Sequence, residues 1–134
     1  MEANQPVKRL SASMEDYIEA IWQLVAEKQA ARAKDIAVRL GVTRASVTGA
    51  LRALAREGWV NHAPYDVITL TEAGRTEAAE IIRRHEALKE FFVSLLGVEA
   101  GEAERAACGM EHAVSGNIVD RLVAFVADWK AAAQ

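Results

Sequence analysis

The segment AKDIAVRLGVTRASVTGALRALAREGWV, residues 33–60, constrains the fold more than any other part of this 134-residue chain. Residues 33–40 place apolar side chains at helical spacing and stop at Gly41, which can enter a tight turn without steric cost. Thr43 then stands as the N-cap of a further helix with Val47, Leu51 and Leu54 on its apolar stripe, running to about Arg56 and ended by Gly58. A preceding helix is predicted to start after Ser13 as N-cap, with Ile18, Ile21, Trp22 and Val25 on its buried face. After Gly58, residues 59–62 and 67–70 read as two short strands joined through Ala63, Pro64, Tyr65 and Asp66. Helix, short helix, tight turn, helix and hairpin, in that order, spell a winged helix-turn-helix.

The remainder is helical. Thr71 caps a long helix predicted to reach about Leu96 and to close at Gly97. A fifth helix is expected over about 100–114. A sixth begins near Asn117 and repeats apolar residues at Ile118, Leu122, Phe125, Val126 and Trp129. The expected fold is therefore mainly α, with a winged helix over residues 1–73 and a helical domain over 74–134. A hydrophobic content of 51% is enough for a packed core. No apolar run is long enough for a membrane span, and the first residues lack an apolar signal core, which predicts a cytoplasmic protein. The single cysteine, Cys108, excludes an internal disulfide and is read either as a small core residue or as a ligand or reactive thiol.

Charge is distributed unevenly. Residues 31–60 hold Arg32, Lys34, Arg39, Arg44, Arg52 and Arg56 against Asp35 and Glu57, a net +4 in a chain of net −3, so the rest carries −7. A basic segment on an acidic body is the electrostatic footprint of a compact reader of double-stranded operator DNA. Small residues at the start of the third helix (Ala45, Ser46, Thr48, Gly49, Ala50) permit close approach to a major groove. Lys34, Thr43, Arg44, Ser46, Thr48 and Arg52 are the candidate contacts to phosphates or base edges, with Ala45 at the close approach. His62 and Tyr65 are candidates on the wing. The competing reading is a solvated charged face on a protein-interaction domain.

Outside the reader, metal-ligating residue types fall at helical spacings. Asp16 and Glu19 are three apart on the first helix. Cys108, Glu111 and His112 stand at i, i+3 and i+4 on the fifth, and His85 lies midway along the fourth. Carboxylates and imidazoles suit Mn(II) and Fe(II), and a thiolate moves preference toward Fe(II), Co(II) or Zn(II). Finger-type cysteine pairing is missing, which disfavours structural zinc. Each piece has an ordinary explanation when taken singly: an acidic first turn, a packed cysteine, a surface histidine.

The stretch SMEDYIEAIWQL, the winged helix after it, RRHEALKEFFVSLLGV and CGMEHAVS together resemble the diphtheria-toxin-repressor and manganese-transport-regulator family. The likeness runs over roughly residues 11–130. It implies a winged helix with a helical dimerisation domain, a homodimer, and Mn(II) or Fe(II) as co-repressor, with one or two ions per subunit. By position it implies Asp16, Glu19, His85, Glu111 and His112 as ligands. Cys108 resembles the iron branch and Asp16 the manganese branch, so the site is a hybrid. Lys89 stands where the family often has an acidic residue, and Glu104 is a candidate ligand for a second ion. The expected function is a metal-dependent repressor of metal-ion homeostasis and not an enzyme. The alternatives are a winged-helix regulator answering to a non-metal ligand or partner, and a metalloenzyme.

Overall fold

The computed structural model describes residues 10–63 and 67–133. The chain divides into two compact units, with the boundary between Thr69 and Leu70.

The first unit opens with α1 (Ala12–Lys28), followed by β1 (Ala31–Arg32), α2 (Ala33–Leu40) and α3 (Arg44–Arg56). Strands β2 (Val60–Ala63) and β3 (Val67–Leu70) complete the wing. Ser11, not Ser13, caps α1: its hydroxyl accepts from the amide of Met14 at 3.1 Å, which puts Ser13 inside the first turn. The buried stripe is also rotated from the expected one. Tyr17, Ile18, Ala20, Ile21 and Leu24 are buried, whereas Trp22 is only half-buried and Val25 is 37% exposed. The set 17, 20, 21 and 24 is the i, i+3, i+4, i+7 stripe of a helix lying on a core.

Gly41 adopts φ +68° and its amide turns back onto the end of α2, a left-handed cap that suits glycine. Thr43 caps α3 by accepting from the amide of Ser46 at 3.0 Å. Ile36 and Ala37 of α2 and Val47, Ala50, Leu51 and Leu54 of α3 are buried, and both helices pack within the core that α1 covers. A bidentate ion pair from Arg39 to Glu27, with the shorter contact at 2.6 Å, ties α2 to α1. The sheet order is β1-β3-β2, with β1 antiparallel to β3 in the register Ala31 to Ile68 and Arg32 to Val67. Ala31, Val60 and Ile68 close the core from the sheet side.

The second unit consists of α4 (Glu72–Glu90), a π-helical turn (Phe91–Leu95), α5 (Ala100–Met110) and α6 (Gly116–Ala132). Thr71 caps α4, Glu99 caps α5 and Ser115 caps α6 through side-chain oxygens. The α-helical part of α4 ends six residues before the expected Leu96. Its continuation widens into a π turn, in which the Leu96 amide reaches Phe91 O at 3.4 Å, before Gly97 reverses the chain at φ +68°. A pattern of 3.6-residue period carries no signal for that extra residue per turn. Helix α5 stops at Met110, short of the expected 114, and Glu111 to Ala113 form a turn closed by the Ala113 amide on Met110 O at 2.9 Å. Both α5 and α6 pack on α4. Ala78, Ile81, Leu88, Ala103, Ala107, Val119 and Val126 form this unit's core. The unit is thus mainly helical and the wing is confined to the first. No helix among the described residues is long and apolar enough to cross a membrane.

Candidate metal centre and nucleic-acid interface

The DNA-reading candidates follow from how α3 is seated. With Val47, Ala50, Leu51 and Leu54 turned inward, Arg44, Ala45, Ser46, Thr48, Gly49 and Arg52 are exposed. Lys34 is exposed on the first turn of α2, and Thr43 is exposed at the α3 cap. The hydroxyls are not idle. Thr43 Oγ1 donates to Ser46 Oγ at 3.0 Å and accepts the Ser46 amide, and Thr48 donates to the carbonyl of Arg44 at 3.0 Å. These bonds hold the N-terminal turn of α3 in shape, and each hydroxyl oxygen keeps capacity to accept a further hydrogen bond. His62 is exposed on β2, and Tyr65 lies outside the described residues.

The second unit gathers donor groups around His85 on α4. Its Nδ1 lies 2.7 Å from Glu111 Oε1 and its Nε2 lies 2.9 Å from Glu104 Oε2. Glu111 is 1% exposed and His85 8%, so a buried carboxylate and a buried imidazole face each other. The other oxygen of Glu111 lies 3.5 Å from Nε2 of the half-buried His112. Glu104 in turn meets Lys89 Nζ at 3.2 Å through Oε1. Cys108 is exposed, and its sulfur joins His85 and Glu104 in a group whose donor atoms all lie within 4.8 Å of one another. The i, i+3, i+4 spacing of Cys108, Glu111 and His112 therefore does not send all three to one point within this unit. Helix α5 ends between Cys108 and Glu111, and the thiol faces Glu104 while Glu111 takes the other edge of the imidazole. In the first unit Asp16 is exposed and Glu19 half-buried, both on α1.

Burial pulls the His85 imidazolium down, yet its hydrogen bonds to Glu104 and Glu111, with their charges, outweigh burial and leave the pKa above the ordinary value. The hydrogen bond to His85, aided by Lys89, lowers the Glu104 carboxyl. Two carboxylates on one ring thus favour a positive charge in the cluster. The same donors fit a divalent transition ion: imidazole nitrogen, carboxylate oxygen and a sulfur within reach, one carboxylate being almost fully buried. The partner of a ligating imidazole's second nitrogen is commonly a carboxylate, the role that Glu111 or Glu104 can fill for His85.

One positioning residue escaped the sequence reading. Arg84, 3% exposed on α4, donates from Nη1 to the carbonyl of Val114 at 3.3 Å and also faces Glu77 at 3.8 Å. It anchors the loop that follows Glu111 and His112. An arginine beside a histidine in a helix carries no mark of burial in the sequence, and only the packing of α5 and α6 on α4 hides it.

A winged helix with a basic, exposed recognition face, and a helical unit holding imidazole, carboxylate and thiol donors, define a class: DNA-binding regulators that answer to a metal ion. Residues 9–68 match the iron-dependent repressor N-terminal DNA-binding domain, and residues 71–132 match the iron-dependent repressor metal-binding and dimerisation domain. The chain belongs to the iron-dependent repressor family, whose members are transcription regulators and not enzymes. It is 38% identical to a helix-turn-helix-type transcriptional regulator of Methanocaldococcus jannaschii, over 90% of this chain and 98% of that one. It is 37% identical to the transcriptional regulator MntR of Lysinibacillus sphaericus, over 85% of this chain and 81% of that one. Among solved structures it is similar to a manganese-dependent transcriptional repressor in complex with manganese, with TM-score 0.76 and 34% identity over 85% of this chain. The chain spans about half the length of that solved chain, 52%.

Proposed function

We propose that the protein represses genes of metal-ion homeostasis in the cytoplasm, binding operator DNA as a homodimer with Mn(II) or Fe(II) as co-repressor, at one or two ions per subunit. The observation that carries this reading is the buried pair of His85 and Glu111, backed by His112 and flanked by Glu104 and Cys108. The proposed ligands are Asp16, Glu19, His85, Cys108, Glu111 and His112, with Glu104 as a further donor. Asp16 and Glu19 enter on their spacing and on their match to the family's motif.

When bound, a divalent ion supplies positive charge and directional bonds to the carboxylates. The chain's own residues do the rest. Glu111 orients His85 through Nδ1, Arg84 holds the loop after His112, and the caps on α4 and α5 set the ends of the helices that carry the donors. On α3 the Thr43 and Thr48 bonds shape the turn that approaches the groove, and Arg44 and Arg52 with Lys34 meet phosphate or base edges. On this reading metal binding and DNA binding are linked: a coupling of about 1–3 kcal/mol corresponds to roughly 5–150-fold in DNA affinity. Reciprocity requires DNA to tighten metal binding by the same factor.

Dimerisation is supported by the outward face of α6. Ile118, Phe125 and Trp129 are 49%, 56% and 42% exposed, while Val119 and Val126 are the buried residues of that helix. A row of large apolar side chains on one helix, facing solvent, marks an interface. A dimer would present two recognition helices, and a separation of about 34 Å would match successive major grooves.

The test is a DNA-binding titration under reducing, anaerobic conditions with Mn(II), Fe(II), Co(II) and Zn(II) compared with chelator. Binding should strengthen with at least one of these ions. Equal affinity in every condition would overturn the co-repressor reading.

A further inference from the structure

The carboxylate of Glu104 is engaged at both oxygens, Oε2 by His85 Nε2 at 2.9 Å and Oε1 by Lys89 Nζ at 3.2 Å. His85 can offer only Nε2 to this side, because Nδ1 is held by Glu111 at 2.7 Å. Together with the sulfur of Cys108 these atoms make a nitrogen, oxygen and sulfur set compact enough for one ion. It lies on the opposite edge of the imidazole from Glu111 and His112. Lys89, one turn after His85 on α4, brings its ammonium to the carboxylate that such an ion would need. A lysine ammonium is a compact point charge, so a divalent cation entering here has to compete with it for the Glu104 carboxylate and sit beside a fixed positive charge. Both effects oppose entry.

We propose that Lys89 is a tethered cation that keeps a divalent ion out of the His85, Glu104 and Cys108 position, so that the subunit takes one ion fewer than its donors allow. The inference rests on the metal-responsive reading and deepens it by assigning a residue that sets stoichiometry. Lys89 and Glu104 side chains are 38% and 46% exposed, so their pair contributes little to stability, and replacing the lysine changes ion binding rather than folding.

The experiment is equilibrium dialysis of the full chain against Mn(II) and, separately, Co(II), anaerobically, with bound ions counted by elemental analysis. Lys89→Gln should take up one more ion per subunit than the unaltered chain, with affinity at that position raised about 10–100-fold, the range typical of changes beside a metal site. Lys89→Arg should behave as the unaltered chain. Adding Glu104→Gln to Lys89→Gln should remove the extra ion. The proposal is overturned if Lys89→Gln and the unaltered chain bind equal numbers with equal affinities, or if the double variant keeps the extra ion. If neither the unaltered chain nor Lys89→Gln binds any ion, the metal-responsive reading itself fails and takes this inference with it.

Discussion

Nδ1 of His85 lies 2.7 Å from Oε1 of Glu111, and the two residues, 26 positions apart in the chain, are both buried. One pair of atoms thus joins the middle of α4 to the turn that ends α5, where His112 follows. The pair also divides the imidazole into two working edges, one shared with Glu111 and the other with Glu104.

Glu111→Gln keeps the shape of the side chain but removes its charge. It should lower metal affinity by at least about 10–100-fold. The metal-dependent gain in DNA affinity should vanish with it. Losing a charge-assisted hydrogen bond at a buried site should also cost the chelated protein about 1–3 kcal/mol. Calorimetric metal titration and a DNA-binding assay check both halves. Undiminished metal-dependent DNA binding would remove Glu111 from the ligand set.

The pH dependence of the chelated protein follows from His85. Its folded pKa is raised above the ordinary 6.5, because hydrogen bonds to Glu104 and Glu111 outweigh the opposing burial. A group raised on folding contributes stability that is complete below its unfolded pKa and is lost as pH rises through the folded one. Thermal unfolding in chelator should therefore show this contribution falling away from about pH 6.5 upward. His85→Gln should remove that part of the profile. Identical profiles for the two proteins would show that the cluster does not hold a proton in this way.

On the reading helix, Arg52→Ala should weaken operator binding. If Arg52 meets a phosphate, it should also reduce the slope of log affinity against log salt by about 1. Thr43→Ala acts differently, since Thr43 caps α3. It should destabilise the first unit by about 0.5–2 kcal/mol. Denaturation curves and salt-dependent binding separate the two effects, and an Arg52→Ala variant with unchanged affinity and slope would take that residue off the interface.

Phe125 is the most exposed of the large apolar residues on α6, at 56%. Phe125→Asp should convert a dimer to a monomer at micromolar concentration by light scattering. Helix content should stay intact, because Val119 and Val126 still hold α6 to its own unit. A dimer of unchanged mass would place the interface on another face.

The winged helix was legible because its signals are local. Thr43, Gly41 and Thr71 act within one turn of their own positions, and caps and left-handed glycines report where a helix starts or stops whatever it packs against. The rotation of the α1 stripe toward Tyr17 and Leu24 was less legible, since Ile18, Ile21, Trp22 and Val25 also form a helical stripe and only contact with α2 and α3 selects between them.

Sequence alone determined the six helices, the two hairpin strands, their order, the basic reader and the residue types of the donor set, but neither β1 nor the π turn after α4. Tertiary structure decided which donors meet. Helical spacing states which side chains share a face, but neither how far that helix is turned about its axis nor its register against a neighbour. Cys108 therefore went to His85 and Glu104, while Glu111 went to the other edge of the same ring, because α5 ends between them and packs on α4 at one particular height. The burial of Arg84 and the engagement of Glu104 by Lys89 have the same cause.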